Sequence, residues 1–254
     1  MFLSPKVFAS LAICFLLFSC ASPEVKKVLT LKEQIAADTE KAQSLSEDFG
    51  RRAQFINLPR AEKFLTKTAI KLAQFSKDFQ LQTIEIRIHR DSDPIYARGF
   101  SFPGTLISIP YNLLKKVEFE NELAAFISYE LANVINRHLA NRVEADKKYD
   151  LKRPVILFGE GSVFDLDQSE RAQSIKLGTQ MLYYAGYDTR GMASIFQRYA
   201  NYLGNPVSDS QKKEVEFNIR EAQRARNELL PALKPIVRSP EFIQFKKELG
   251  RVQK

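Results

Sequence analysis

The chain has little of what the commonest catalytic sites are made from. Its 254 residues include two cysteines, Cys14 and Cys20, both at the extreme N-terminus. Beyond them no disulfide and no cysteine nucleophile can be built, so stability must come from an apolar core. Histidine is as scarce, with His89 and His138 alone. Two residues so far apart argue against a His-rich metal site, and no Ser-His-Asp arrangement is suggested. No internal repeat is visible. Basic stretches interleaved with aromatics are absent too, which argues against a nucleic-acid partner. What remains is ordinary for one globular domain: 44% hydrophobic residues and enough length to bury a core.

The first twenty residues are the first positive signal. Lys6 precedes an apolar run, Val7 to Phe18, broken by Ser10. That run is short of the ~20 residues a permanent span needs, and its position reads as a secretion signal. It ends Leu17-Phe18-Ser19-Cys20, which resembles the lipobox of bacterial lipoproteins. The expectation is a signal over residues 1–19, an acylated Cys20 as the new N-terminus, and a tether over 20–30. Such an anchor holds because each buried methylene contributes about 0.8 kcal/mol. Ala21 follows the cysteine in place of Asp, which by lipoprotein sorting rules points to the outer membrane, facing the periplasm. Without Lys6 the formal charge is 37 basic minus 30 acidic, or +7. A basic surface suits anionic head groups, and equally suits plain solubility.

Periodicity predicts an α+β domain over 31–254. Leu31, Ile35, Ala42, Leu45 and Phe49 sit at helical spacing, with Gly50 near the end. Pro59 opens a second helix towards Phe79. Residues 83–90 alternate, with Ile84, Ile86 and Ile88 on one face and Glu85, Arg87 and His89 on the other, which places His89 at the surface. Further strands are predicted over Tyr96 to Phe102 and Thr105 to Ile109, in a small antiparallel sheet. Phe119 to Asp146 lacks Gly and Pro and reads as one long helix. Residues 150–166 read as a loop, and Asp167 as the cap of a helix closed by Gly186. Asp188 caps the next helix, Gly204 to Pro206 breaks the chain, and helices over about 211–229 and 239–249 finish it.

One segment, residues 121–138 (NELAAFISYELANVINRH), carries a resemblance. It is similar to the active-site helix of the membrane-associated zinc peptidases of family M48, which include outer-membrane assembly proteases. There the helix carries His-Glu-x-x-His, whose histidines hold zinc from one helix face while the glutamate acts on the bound water. Here the five positions are Tyr129, Glu130, Leu131, Ala132 and Asn133. Upstream, Arg98-Gly99-Phe100-Ser101-Phe102-Pro103-Gly104 resembles the family's edge strand and its turn. Downstream, Asn136-Arg137-His138 matches the step after the motif, and Lys176-Leu177-Gly178 with Ala185-Gly186-Tyr187-Asp188 matches the helix of the third ligand. Aligning Leu177-Gly178 sets Gln173 at that ligand and Ile175 at the usual aspartate. The likeness covers residues 60–204 best. It implies a zincin-like fold, with the sheet packed on an active-site-type helix among many others.

By that likeness Phe126, Arg137, Phe100 and Phe102 would line the cleft. The implied ligands are gone. A phenol at Tyr129 and amides at Asn133 and Gln173 are poor substitutes for two imidazoles and a carboxylate, so no zinc is expected. Without a metal to lower the pKa of water, Glu130 is a base with nothing to act on. Glu170 is the one candidate for a second carboxylate. His138, on the apolar stripe, reads as a core residue. Three readings follow. The first is an inactive peptidase-like lipoprotein that binds unfolded or extended polypeptide in envelope assembly or quality control. The second is a working metallopeptidase with an atypical ligand set around Glu130. The third is a structural envelope lipoprotein.

Overall fold

The computed structural model describes residues 29–76, 84–92, 96–104, 106–145, 165–203 and 209–251. The expected signal, Cys20, most of the tether, the Gly204 to Pro206 break and nearly all of the 150–166 loop lie outside them. The elements all belong to one unit, Leu31–Lys254. In chain order they are α1 (Leu31–Ala53), β1 (Phe55–Ile56), α2 (Pro59–Ala73), β2 (Glu85–His89), β3 (Phe100–Ser101), β4 (Leu106–Pro110), α3 (Tyr111–Lys116), α4 (Glu120–Ile135), α5 (His138–Ala145), α6 (Gln168–Tyr184), α7 (Arg190–Leu203), α8 (Asp209–Asn227) and α9 (Pro240–Arg251). The class is α+β. No helix among the described residues is long and apolar enough to cross a membrane.

The four strands are ordered β1-β2-β4-β3. Ile84, Ile86 and Ile88 are buried as the alternation predicts. The sheet itself is mixed, not antiparallel throughout. β2 and β4 run parallel, Ile86 beside Ile107 and Ile88 beside Ile109. β1 and β3 flank them antiparallel. Alternation shows which face of a strand is buried but not the direction of its neighbour. Here the chain passes β2, forms β3 beyond it, turns at Pro103-Gly104 (Gly104 φ +92°), and returns between them.

Two further expectations change. The expected second strand, Tyr96 to Phe102, shrinks to Phe100–Ser101. The expected long helix from Phe119 stops at Ile135 and resumes at His138. The break is Arg137, which takes a left-handed φ of +55°. Its guanidinium grips Asp38 of α1 through two hydrogen bonds, Nε to Oδ2 at 2.8 Å and a terminal nitrogen to Oδ1 at 2.9 Å. A bidentate charged pair at a buried carboxylate can offset the backbone strain.

Helix α4 is the axis of the domain. Leu123, Ala124, Ala125, Ile127, Leu131 and Ala132 are at most 1% exposed. Such a helix is apolar nearly all round because neighbours enclose it; α2, α6, α7 and β3 pack on it. Its start is fixed by Glu122, which accepts from the backbone N–H groups of Glu118 and Phe119 and pairs with Arg198 of α7. Gly178 lets α6 approach closely. A Cβ there would stand 3.2 Å from the Ser128 carbonyl carbon and oxygen and 2.9 Å from the Met192 Cε.

Candidate functional site

Tyr129, Glu130 and Asn133 sit in the second half of α4, where β3 crosses it. The crossing is tight because Gly99 has no side chain. A Cβ at Gly99 would lie 2.5 Å from Glu130 Oε1 and 2.4 Å from the Phe126 ring. Only glycine fits such an approach. Glu130 is 5% exposed, and its carboxylate accepts from the Ser101 hydroxyl and from Asn133 Nδ2, the latter at 3.3 Å.

Burial dominates the electrostatics of this carboxyl. It pushes the Glu130 pKa up to about 7, against the opposing pull of Ser101, Asn133 and the Arg98 charge. Burial also raises the Tyr129 phenol, and the adjacent Glu130 charge adds to the rise. Tyr199 of α7 is raised likewise by burial. Near neutral pH these phenols keep their protons. Asn133 Oδ1 is buried with no hydrogen-bond partner. Tyr129 packs edge-on against Phe196, with ring centroids 5.4 Å apart.

The third expected position is elsewhere. Gln173 is exposed, and its amide reaches Ser169 on its own helix. The α6 residue whose charge acts on Tyr129 is Arg171. Arg171 donates to Glu214 of α8 at 2.8 Å, and its Nε is buried without a partner. The reason is helix phase. Ser174, Ile175, Gly178, Met181 and Leu182 are the buried stripe of α6, and Arg171 lies one turn before Ser174 and Ile175 on that stripe. Two residues further, at about 100° each, Gln173 faces away. The stripe is legible in the sequence as Ile175, Met181 and Leu182, and Gln173, set by Leu177-Gly178, falls off it.

Other candidates also move. Phe100 and Phe102 are 1% exposed and do not line a cleft. They cluster around Phe49 of α1, with centroids 4.6 and 5.1 Å away. Phe126 is buried beneath Gly99, and Arg137 is committed to Asp38. His89 is not at the surface but fully buried, its ring nitrogens 2.7 Å from the Ser108 hydroxyl oxygen and 2.8 Å from the Tyr96 carbonyl. Burial lowers its pKa to about 4, against the bond to Tyr96. The outer face of β2 is polar at Glu85 and Arg87, but at His89 it is covered by Phe49 and Phe100. His138 is a core residue as expected, its Nε2 3.1 Å from Ser174 Oγ. Glu170 pairs with Arg142 and caps the start of α6. Arg98 and Ser101 lie in the segment that resembles the edge strand, where the sequence marks Phe100 and Phe102 instead; nothing in the sequence marks Arg171 or Tyr199.

Residues 59–232 match the sequence pattern of peptidase family M48. That span is more than half of the chain and contains both α4 and α6. The chain belongs to peptidase family M48. A search of curated proteins found no match. Zinc in this family asks for nitrogen and carboxylate donors around the motif glutamate. Beside Glu130 the chain offers a protonated phenol, an amide and a guanidinium, and among the described residues no three His, Cys, Asp or Glu side chains are grouped to hold an ion. The donor set does not fit the metal.

Proposed function

We propose that this M48 member is a peptide-binding protein that does not cut, held at the cell envelope by a lipid on Cys20. The observation that carries it is the surroundings of Glu130. Asn133 and Ser101 hydrogen-bond the acid, Arg98 is the charge that acts on it, and Tyr129 beside it keeps its proton, none of them suited to bind zinc, while Gly99, just before the edge strand, stays packed on the acid. Such a site can bind without activating water. β3 is an edge strand, and an extended polypeptide adds to an edge through main-chain hydrogen bonds. A client in assembly or quality control of envelope proteins fits that mode, and periplasm-facing attachment to the outer membrane fits the residues around Cys20.

A second reading has one observation in its favour. Glu130 is retained with a pKa near 7, which is where a general base is most effective. Metal analysis of the purified protein, with cleavage of an unfolded substrate such as casein, separates the two. We expect no stoichiometric zinc, no cleavage by the wild type or Glu130→Gln, and saturable binding of unfolded peptide. Tightly bound zinc with cleavage lost in Glu130→Gln would establish the peptidase. Absence of both cleavage and peptide binding would leave a structural envelope protein.

A further inference from the structure

The segment between α8 and α9 carries a feature the peptide site does not use. It reads Leu229-Leu230-Pro231-Ala232-Leu233-Lys234-Pro235-Ile236-Val237-Arg238. Leu230 is 78% exposed and Leu233 is 100% exposed. Pro231, Ala232 and Lys234 between and beside them are exposed as well. Water penalises such placement of two leucines.

The exposure is held in place by a fixed base. Ile236 donates to Gly186 at 2.8 Å and accepts from Asp188 at 3.1 Å. Val237 accepts from Glu120 at 2.9 Å. Arg238 donates to the Glu118 carbonyl and lies over the Phe119 ring, itself partly exposed. The apolar tip therefore projects from an anchored stem.

We propose that this tip, Leu230 to Lys234, inserts into the head-group region of an anionic phospholipid bilayer. Three observations point to lipid as the occupant. Exposure comes first: two leucines this open to water sit in no groove of their own fold, and a bilayer takes them up without offering one. Charge is second. Lys234 in the tip and Arg238 in its stem are basic, and the single acid between Asn227 and Ser239 is Glu228, neutralised by Lys176 at 2.8 Å. Basic side chains beside an apolar insertion are drawn to anionic lipid. Backbone chemistry is third. Pro231 and Pro235 have no N–H, so entry into a poorly hydrated layer strands fewer donors. The insertion is independent of the Cys20 tether and would orient the domain on a surface that a tether alone leaves free to rotate.

The chain contains no tryptophan, so Leu233→Trp in the full chain gives a background-free probe at a position where the fold is not at stake. Fluorescence is recorded on phosphatidylglycerol and phosphatidylcholine vesicles, with and without brominated acyl chains. The expected result is a blue shift and bromine quenching on phosphatidylglycerol, and little on phosphatidylcholine. Adding Lys234→Glu should weaken partition by about tenfold. An indole that keeps its solvent-exposed emission on anionic vesicles carrying the protein would overturn the proposal. Equal quenching on both lipids would overturn the anionic assignment. A blue shift with envelope protein and none with vesicles would assign the tip to a protein partner instead.

Discussion

Asn133 Nδ2 approaches Glu130 Oε2 at 3.3 Å across one turn of α4, while Asn133 Oδ1 is buried without a partner. This is a lopsided arrangement for an ionised carboxylate in a dry place. It fits a carboxyl that keeps its proton to about pH 7, where an ordinary glutamate loses it near 4.5. Between those values the folded state binds the extra proton, so Glu130 makes stability fall as pH rises. His89 acts in the opposite sense. The unfolded state takes up its proton near 6.5 and the folded state only near 4, so His89 makes stability rise with pH over almost the same window. Each shift corresponds to roughly 3 kcal/mol across its window. The two slopes should nearly cancel in the wild type between pH 4.5 and 6.5. Relative to wild type, Glu130→Gln should gain stability as pH rises, and His89→Gln should lose it. Urea unfolding across that range reads both; parallel profiles for all three proteins would defeat the argument.

The Arg171 placement can be tested by reconstruction. Tyr129→His, Asn133→His and Arg171→Glu together restore two imidazoles and a carboxylate on the faces that meet. The triple variant should bind one zinc per chain, as measured by competition with a chelating dye. Replacing Gln173→Glu in place of Arg171→Glu should not, because that carboxylate would point to solvent. Zinc bound equally by both triples would mean the phase of α6 is misread.

Asp38 is 3% exposed in its side chain. Arg137→Ala would leave that carboxylate buried and unpaired, at a cost of about 3 kcal/mol. Adding Asp38→Asn should recover part of the loss. Thermal unfolding of the two variants checks this, and a double variant less stable than the single one would contradict it.

Gly99→Ala should destabilise by about 1–3 kcal/mol, because its methyl must displace Glu130 or the Phe126 ring. Pairing it with Glu130→Ala should remove much of the penalty. Denaturant titration of the two single variants and the double gives the coupling; additive losses would mean that the strand simply moves aside.

Much of this architecture is written locally. Ile84, Ile86 and Ile88 announce β2 by alternation, and Asp167 announces the start of α6 as its cap, to which the structure adds the reciprocal bond with Glu170. The motif glutamate and the family followed from the order of short segments along the chain. What escaped depends on partners distant in sequence. His89 belongs to the polar face of its strand by counting, yet Phe49 and Phe100 close over it. Arg137 continues a helix by propensity, yet Asp38, far upstream, draws it out of helical geometry. The parallel pairing of β2 with β4 follows from a route through β3 that alternation does not encode.

Both rims of the sheet, β1 and β3, are two residues long. A foreign chain laid against either finds a hydrogen-bonding template that ends almost at once. Stacking of copies into fibrils has nowhere to propagate. By the same economy, a guest at β3 would be gripped over a very short stretch and released readily, so selectivity would have to come from the guest's side chains.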